Sequence, residues 1–164
     1  REGGLSFGVP AHTAAFVHDA INVLCLAVLD VLVLANWKLE RAAWTSLKIT
    51  DGPDMWAARW SGQYQHALMT MVFVYMLSDS LFVLLLPQSV KVPLAILVHH
   101  ATCLLAMVIP WLYPATHGYT LGIFMSADFN TLFLLARKML MRSKSGAALP
   151  RILLPLVSMC FYTT

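Results

Sequence analysis

Charge is what this sequence has least of: Asp, Glu, Lys and Arg make up 12% of its 164 residues, about half the share of an ordinary soluble domain. So few charges cannot cover a water-exposed surface. A net charge of +3 is also too small for a basic nucleic-acid-binding domain, and the chain is too apolar to be intrinsically disordered. Cysteine is scarce as well. Cys25, Cys103 and Cys160 are odd in number, show no C-x-x-C spacing and lie in apolar stretches, so they read as small buried hydrophobes and not as a disulfide scaffold. What is abundant is apolar surface, with 59% hydrophobic residues and a mean hydropathy of +0.71. The class that remains is a membrane protein.

Hydropathy predicts four crossing segments at 11–36, 67–86, 92–113 and 119–136, with a fifth beginning at Leu149; a span needs about 20 apolar residues. Each is expected to be helical, because lipid cannot satisfy an open backbone and no alternation of period two suggests a barrel. Pro10 precedes the first span, Pro87 closes the second and Pro93 opens the third, as helix punctuation requires. Pro87 to Lys91 alone join the second and third spans, which are therefore antiparallel neighbours. The fold class is all-α: a polytopic membrane helical bundle of at least four complete transmembrane helices plus a partial fifth. Residues 1–164 are expected to form one domain. With Arg1 first and a final apolar stretch, Ile152 to Thr164, too short to span, the chain is expected to be a fragment cut at both ends. Residues 11–36 are too long an apolar run, with no basic segment before them, to be a signal peptide.

Trp56, Trp60 and Tyr64 fall at i, i+4 and i+8 after Gly52-Pro53. Either they face one side of a separate interfacial helix, or they extend the second span as an aromatic belt. Trp37, Trp111 and Tyr113 fall on the same side. Basic residues are counted as four on that side (Lys38, Arg41, Lys48, Arg59) and seven on the other (Arg1, Lys91, Arg137, Lys138, Arg142, Lys144, Arg151). That balance favours the second side as cytoplasmic.

Half of the eight acidic residues, Asp19, Asp30, Asp79 and Asp128, lie within spans, together with His18, His99 and His100. A charge at the bilayer centre costs about 3 kcal/mol on the insertion scale, so function is the default explanation. Counted from the second side, His18, Asp79, His99 and Asp128 each lie seven or eight residues from a span end, or about 11 Å deep at 1.5 Å per residue. Adjacent histidines point about 100° apart on a helix, so one of His99 and His100 can face a cavity while the other bonds a neighbouring helix. A cavity-facing imidazole oriented by Asp79 or Asp128 suits general-base or nucleophilic work on an acyl group. The alternative is that the pairs are interhelical glue. Metal is rejected: His12, His66 and His117 stand alone, without partners at i+3 or i+4.

The segment Leu97-Val98-His99-His100-Ala101-Thr102-Cys103 resembles the paired-histidine helix of the TLC domain, the fold shared by ceramide synthases and a wide set of TLC-domain-containing membrane proteins. Three further segments are similar to that family in order and spacing: Ala14 to Ala20 with its single His18, Val74 to Asp79, and Ala127 to Arg137. Asp128 stands where the family usually has Glu, Leu132 where it has Pro and Leu135 where it has Asn; the synthase Asp-x-x-Ser-Asp pattern is not reproduced. The resemblance therefore implies a branch outside the synthases, acting in lipid homeostasis in the endoplasmic reticulum or another endomembrane.

The candidate catalytic residues are His99, His100, Asp79 and Asp128, and the resembling segments supply His18, Asp19, Tyr75, Asn130 and Arg137 as candidate substrate-binding residues. Membrane lipids are the expected partners, with a homodimer as a further expectation and no nucleic acid. No bound cofactor is expected. Three functions stay open: non-catalytic lipid binding or regulation, an acyl-CoA-dependent N-acyltransferase of the ceramide synthase type, and a proton-coupled transporter, the last without an inverted repeat to support it.

Overall fold

A computed structural model of the chain describes residues 8–38, 52–126 and 128–142, with the side chains of 52–55, 128 and 142 left outside the description. The fifth span expected from Leu149 lies outside the described residues. Within them the chain is an all-α bundle with four helical stretches long and apolar enough to cross a membrane: Ala11–Asn36, Gln65–Leu85, Pro93–Leu112 and Pro114–Met141.

The elements in chain order are α1 (Ala11–Asn36), α2 (Gly52–Arg59), α3 (Gln65–Leu85), a 3-10 turn (Pro87–Ser89), α4 (Pro93–Ala106), α5 (Val108–Leu112), α6 (Pro114–Ser126) and α7 (Asp128–Arg142). Helix α1 is central, packing on α3, α6, α7 and the 3-10 turn. Its buried residues, Ala14, His18, Asn22, Leu26, Leu29, Val33 and Asn36, recur every three or four positions along one face. Leu24 and Val31, 70% and 64% exposed, lie on the outward face. The inward face carries the polar groups and the outward face is apolar, because lipid cannot hydrogen-bond and neighbouring helices can. Asp30 is also buried on α1, twelve residues beyond His18.

Two spans depart from the hydropathy boundaries. The third is interrupted at Met107 and resumes as α5. Pro110 has no N–H to give the Ala106 carbonyl and its ring crowds that carbonyl, so the α-helix cannot pass unbroken. The fourth is longer than 119–136: α6 begins at Pro114, after Tyr113 alone, and α7 runs to Arg142. Polar Thr116 and His117 at one end and basic Arg137 and Lys138 at the other hide the helix from hydropathy, yet such residues extend a helix while their heads reach the interface.

Helix α2 is separate from the second span. It ends at Arg59, and Gly62, at φ +64°, turns the chain before α3 starts at Gln65; that left-handed backbone suits glycine. Tyr64 therefore does not continue the helical face of Trp56 and Trp60. Trp37 and Trp60 pair as an antiparallel bridge, with their rings edge-on at 5.0 Å, and Trp56 meets Trp37 at 6.0 Å. This tryptophan cluster is turned inward onto the core, while Trp111 and Tyr113 remain exposed.

Candidate functional site

Histidines from two helices converge on Asp79 of α3. His18 of α1 places Nε2 2.8 Å from Asp79 Oδ1, and His100 of α4 places Nε2 3.6 Å from Asp79 Oδ2. All three residues are buried, at 5–6% exposure, and each carboxylate oxygen faces one histidine from a different helix. The helix register explains the convergence. His18 lies on the inward stripe of α1, and Asp79 follows Val72 and Met76 down the inward stripe of α3. The short Pro87 turn then folds α4 back so that His100 comes level with them.

The protons can be assigned around His100. Ser80 Oγ donates its single hydrogen to the Met76 carbonyl at 2.7 Å and lies 3.1 Å from His100 Nδ1. The hydroxyl can therefore only accept from the ring, and Nδ1 is the protonated nitrogen. In the neutral ring Nε2 is then the basic nitrogen, opposite Asp79 Oδ2 at a separation too long for a direct hydrogen bond. His99 behaves differently. It is exposed, and its nearest polar neighbour on α4 is the Cys103 thiol, 3.6 Å from Nε2. Of the adjacent pair, His100 bonds the neighbouring helix and His99 meets the Cys103 thiol one turn along its own helix.

These groups line a cavity of about 760 Å³ bounded by α1, α3, the 87–92 hairpin, α4 and α7. His18, Asp19, Tyr75, Asp79, His99 and His100 all border it, and the Tyr75 ring lies 6.3 Å from the His100 ring. A second cavity of about 300 Å³, lined largely by apolar groups of α3 to α6, shares Met76 and His99 with the first. Both volumes are in the range of small-molecule sites. A cavity with polar groups on one wall, adjoining a more apolar one, matches an amphiphile.

Helix α7 presents Thr131, Leu135 and Lys138 to the large cavity, at i, i+4 and i+7. Asn130 is exposed and Arg137 half-buried, and neither lines it; one residue of offset turns a side chain by about 100°. Lys138 reaches across to α1 and donates from Nζ to Asp19 Oδ1 at 2.8 Å. Asp128 begins α7, with its side chain outside the described residues.

Sequence reasoning missed Lys138, counting it only as a boundary cation, although its spacing from Thr131 and Leu135 is visible in the sequence. It also missed Asn22, one turn after His18 and 3.3 Å from its Nε2, and Ser80, which no periodicity distinguishes from Ser78. Among the described residues no group of three or more His, Cys, Asp or Glu could hold a metal ion. Comparison of the chain with family models, with curated proteins and with solved structures finds no match.

Proposed function

We propose that this chain is a TLC-family membrane protein that holds a membrane lipid in the cavity around Asp79 and His100 and acts in lipid homeostasis. One observation carries the reading. His100 Nε2 and Asp79 Oδ2 lie 3.6 Å apart on a cavity wall inside a membrane span, and with the His100 ring neutral both are acceptors. Two acceptors so placed repel unless a donor bridges them, and a hydroxyl or amine at the polar end of a lipid is such a donor. The adjoining apolar cavity past Met76 and His99 suits the chain of the same molecule. The four resembling segments support the same reading and imply an endomembrane location.

Native mass spectrometry of the purified full chain is expected to show a retained lipid, and its loss in His100→Ala. A wild-type spectrum without bound lipid overturns the reading.

The proton assignment at His100 favours acyl transfer as the second reading. With Nδ1–H held by Ser80, Nε2 is placed to take the proton from an acceptor amine or hydroxyl. As it does so, the acceptor attacks the thioester carbonyl of an acyl-CoA, the carbon–sulfur bond breaks, and the departing coenzyme A thiolate recovers the proton. Release of coenzyme A from a long-chain acyl-CoA is then expected to fall at least ~100-fold in His100→Ala. Unchanged release in both His99→Ala and His100→Ala rules acyl transfer out.

A further inference from the structure

The Asp79 cluster does not account for His99. Its ring is exposed on α4, where the Cys103 sulfur lies 3.6 Å from Nε2 and 3.9 Å from Nδ1. The contact follows from the helix itself: α4 is continuous from Pro93 to Ala106, and residues four apart share a face. Because both ring nitrogens lie near the sulfur, whichever one is unprotonated can take the thiol hydrogen.

In sequence Cys103 reads as a small hydrophobe. In the structure it is half-buried on the wall of the cavity of about 300 Å³, and His99 borders the same cavity. Met76, Leu121, Phe124 and Met125 make much of the remaining wall. Thr102, the other protic side chain there, donates its hydroxyl hydrogen to the Val98 carbonyl at 2.8 Å, which leaves the thiol as the nucleophile. Three features therefore meet: a thiol, a base in contact with it, and apolar space beside both. A thiol next to an imidazole is the arrangement that activates a nucleophilic cysteine, and an apolar cavity suits a hydrocarbon chain.

We propose that Cys103 is an S-acylation site, which takes a long-chain acyl group from an acyl-coenzyme A with His99 as base. His99 takes the thiol proton and Cys103 Sγ attacks the thioester carbonyl. The bond from that carbon to the coenzyme A sulfur breaks, and the departing thiolate recovers the proton from the imidazolium. One thioester replaces another, so no oxidant, reductant or further co-reactant is needed. The inference rests on one premise of the lipid-binding reading, that the smaller cavity holds an acyl chain, and makes that chain covalent. It does not depend on the gap between Asp79 and His100.

The test incubates the purified full chain with alkyne-tagged palmitoyl-coenzyme A and maps the label by peptide mass spectrometry before and after hydroxylamine, which cleaves thioesters. A single hydroxylamine-labile acyl group is expected on Cys103. Cys103→Ser is expected to lose it, and His99→Gln to slow its formation at least ~100-fold, as removal of a general base does. Cys25→Ser is expected to label at the wild-type rate, since Cys25 has no hydrogen bond to a histidine among the described residues. Thermal melts check that the variants fold, and mapping on the wild-type chain needs no variant. Label confined to Cys25 or Cys160 overturns the site. Label on Cys103 that forms as fast in His99→Gln overturns the thiol–imidazole pair. No label, with a lipid retained in the native mass spectrum, overturns acylation and leaves lipid binding standing; no label and no lipid overturn both.

Discussion

An Asp79→Ala protein is expected to lose about 2 kcal/mol of stability, and lipid retention more than ~10-fold, whereas Asp79→Asn is expected to lose the lipid alone. The two substitutions separate structure from binding. Alanine removes the acceptor of the His18 Nε2–H at 2.8 Å and leaves a buried donor unpaired, which costs its desolvation. Solvent offers little relief, since Asp79 is 6% exposed. Asparagine keeps an oxygen for His18 and turns an N–H toward His100 Nε2, so the interhelical links survive. It also supplies from within the protein the donor that the ligand is proposed to supply. Unfolding in graded denaturing detergent reads the first effect and native mass spectrometry the second. If Asp79→Asn retains lipid as the wild type does, the Asp79–His100 gap is not the binding site.

At the far end of the bundle, Gly122→Leu is expected to prevent stable folding, and Gly122→Ala to cost about 1–3 kcal/mol. A Cβ at Gly122 would run into the indole rings of Trp60 and Trp37, and those rings are locked edge-on against each other at 5.0 Å. They cannot move without opening the contact between α2 and α6. Gly118 makes the internal comparison. There the obstacle is the end of the Gln65 side chain, which donates to the Pro114 carbonyl at 3.4 Å and accepts from Trp60 Nε1 at 3.0 Å. Gln65 can swing aside at the cost of those bonds, so Gly118→Ala is expected to be the milder change. Thermal melts of the purified variants check the order, and Gly122→Ala as stable as Gly118→Ala contradicts it. The pair reads as small-x-x-x-small, the spacing that lets membrane helices approach closely; here it admits side chains of the same chain.

Much of the site was legible as a set. His18, Asp79 and the adjacent histidines stand out because each is costly in lipid and because alternate spans run in opposite directions, so depth can be counted from the ends. The structure brings His18, Asp79 and His100 within 3.6 Å. Depth, however, says nothing about rotation. Which of His99 and His100 meets Asp79, and whether Arg137 or Lys138 faces the cavity, turns on 100° per residue and on where each helix begins. Those starting points are set by tertiary details such as the break that Pro110 imposes at Met107 and the early start of α6 at Pro114. Ser80 was invisible for a further reason: serine is common and tolerated anywhere, and only its neighbours reveal where the hydroxyl donates.

Composition and hydropathy by themselves determined the class, the four spans, their helicity and the antiparallel second and third helices, because the transfer of backbone and charge into lipid leaves few alternatives. Tertiary structure decided what the exceptions do. It turned Trp37, Trp56 and Trp60 of the expected belt inward and paired Lys138 with Asp19. It also gathered two histidines 82 positions apart in sequence, His18 and His100, around the one carboxylate of Asp79. Pairing of that kind depends on helix rotation and close approach, which no one-dimensional pattern encodes.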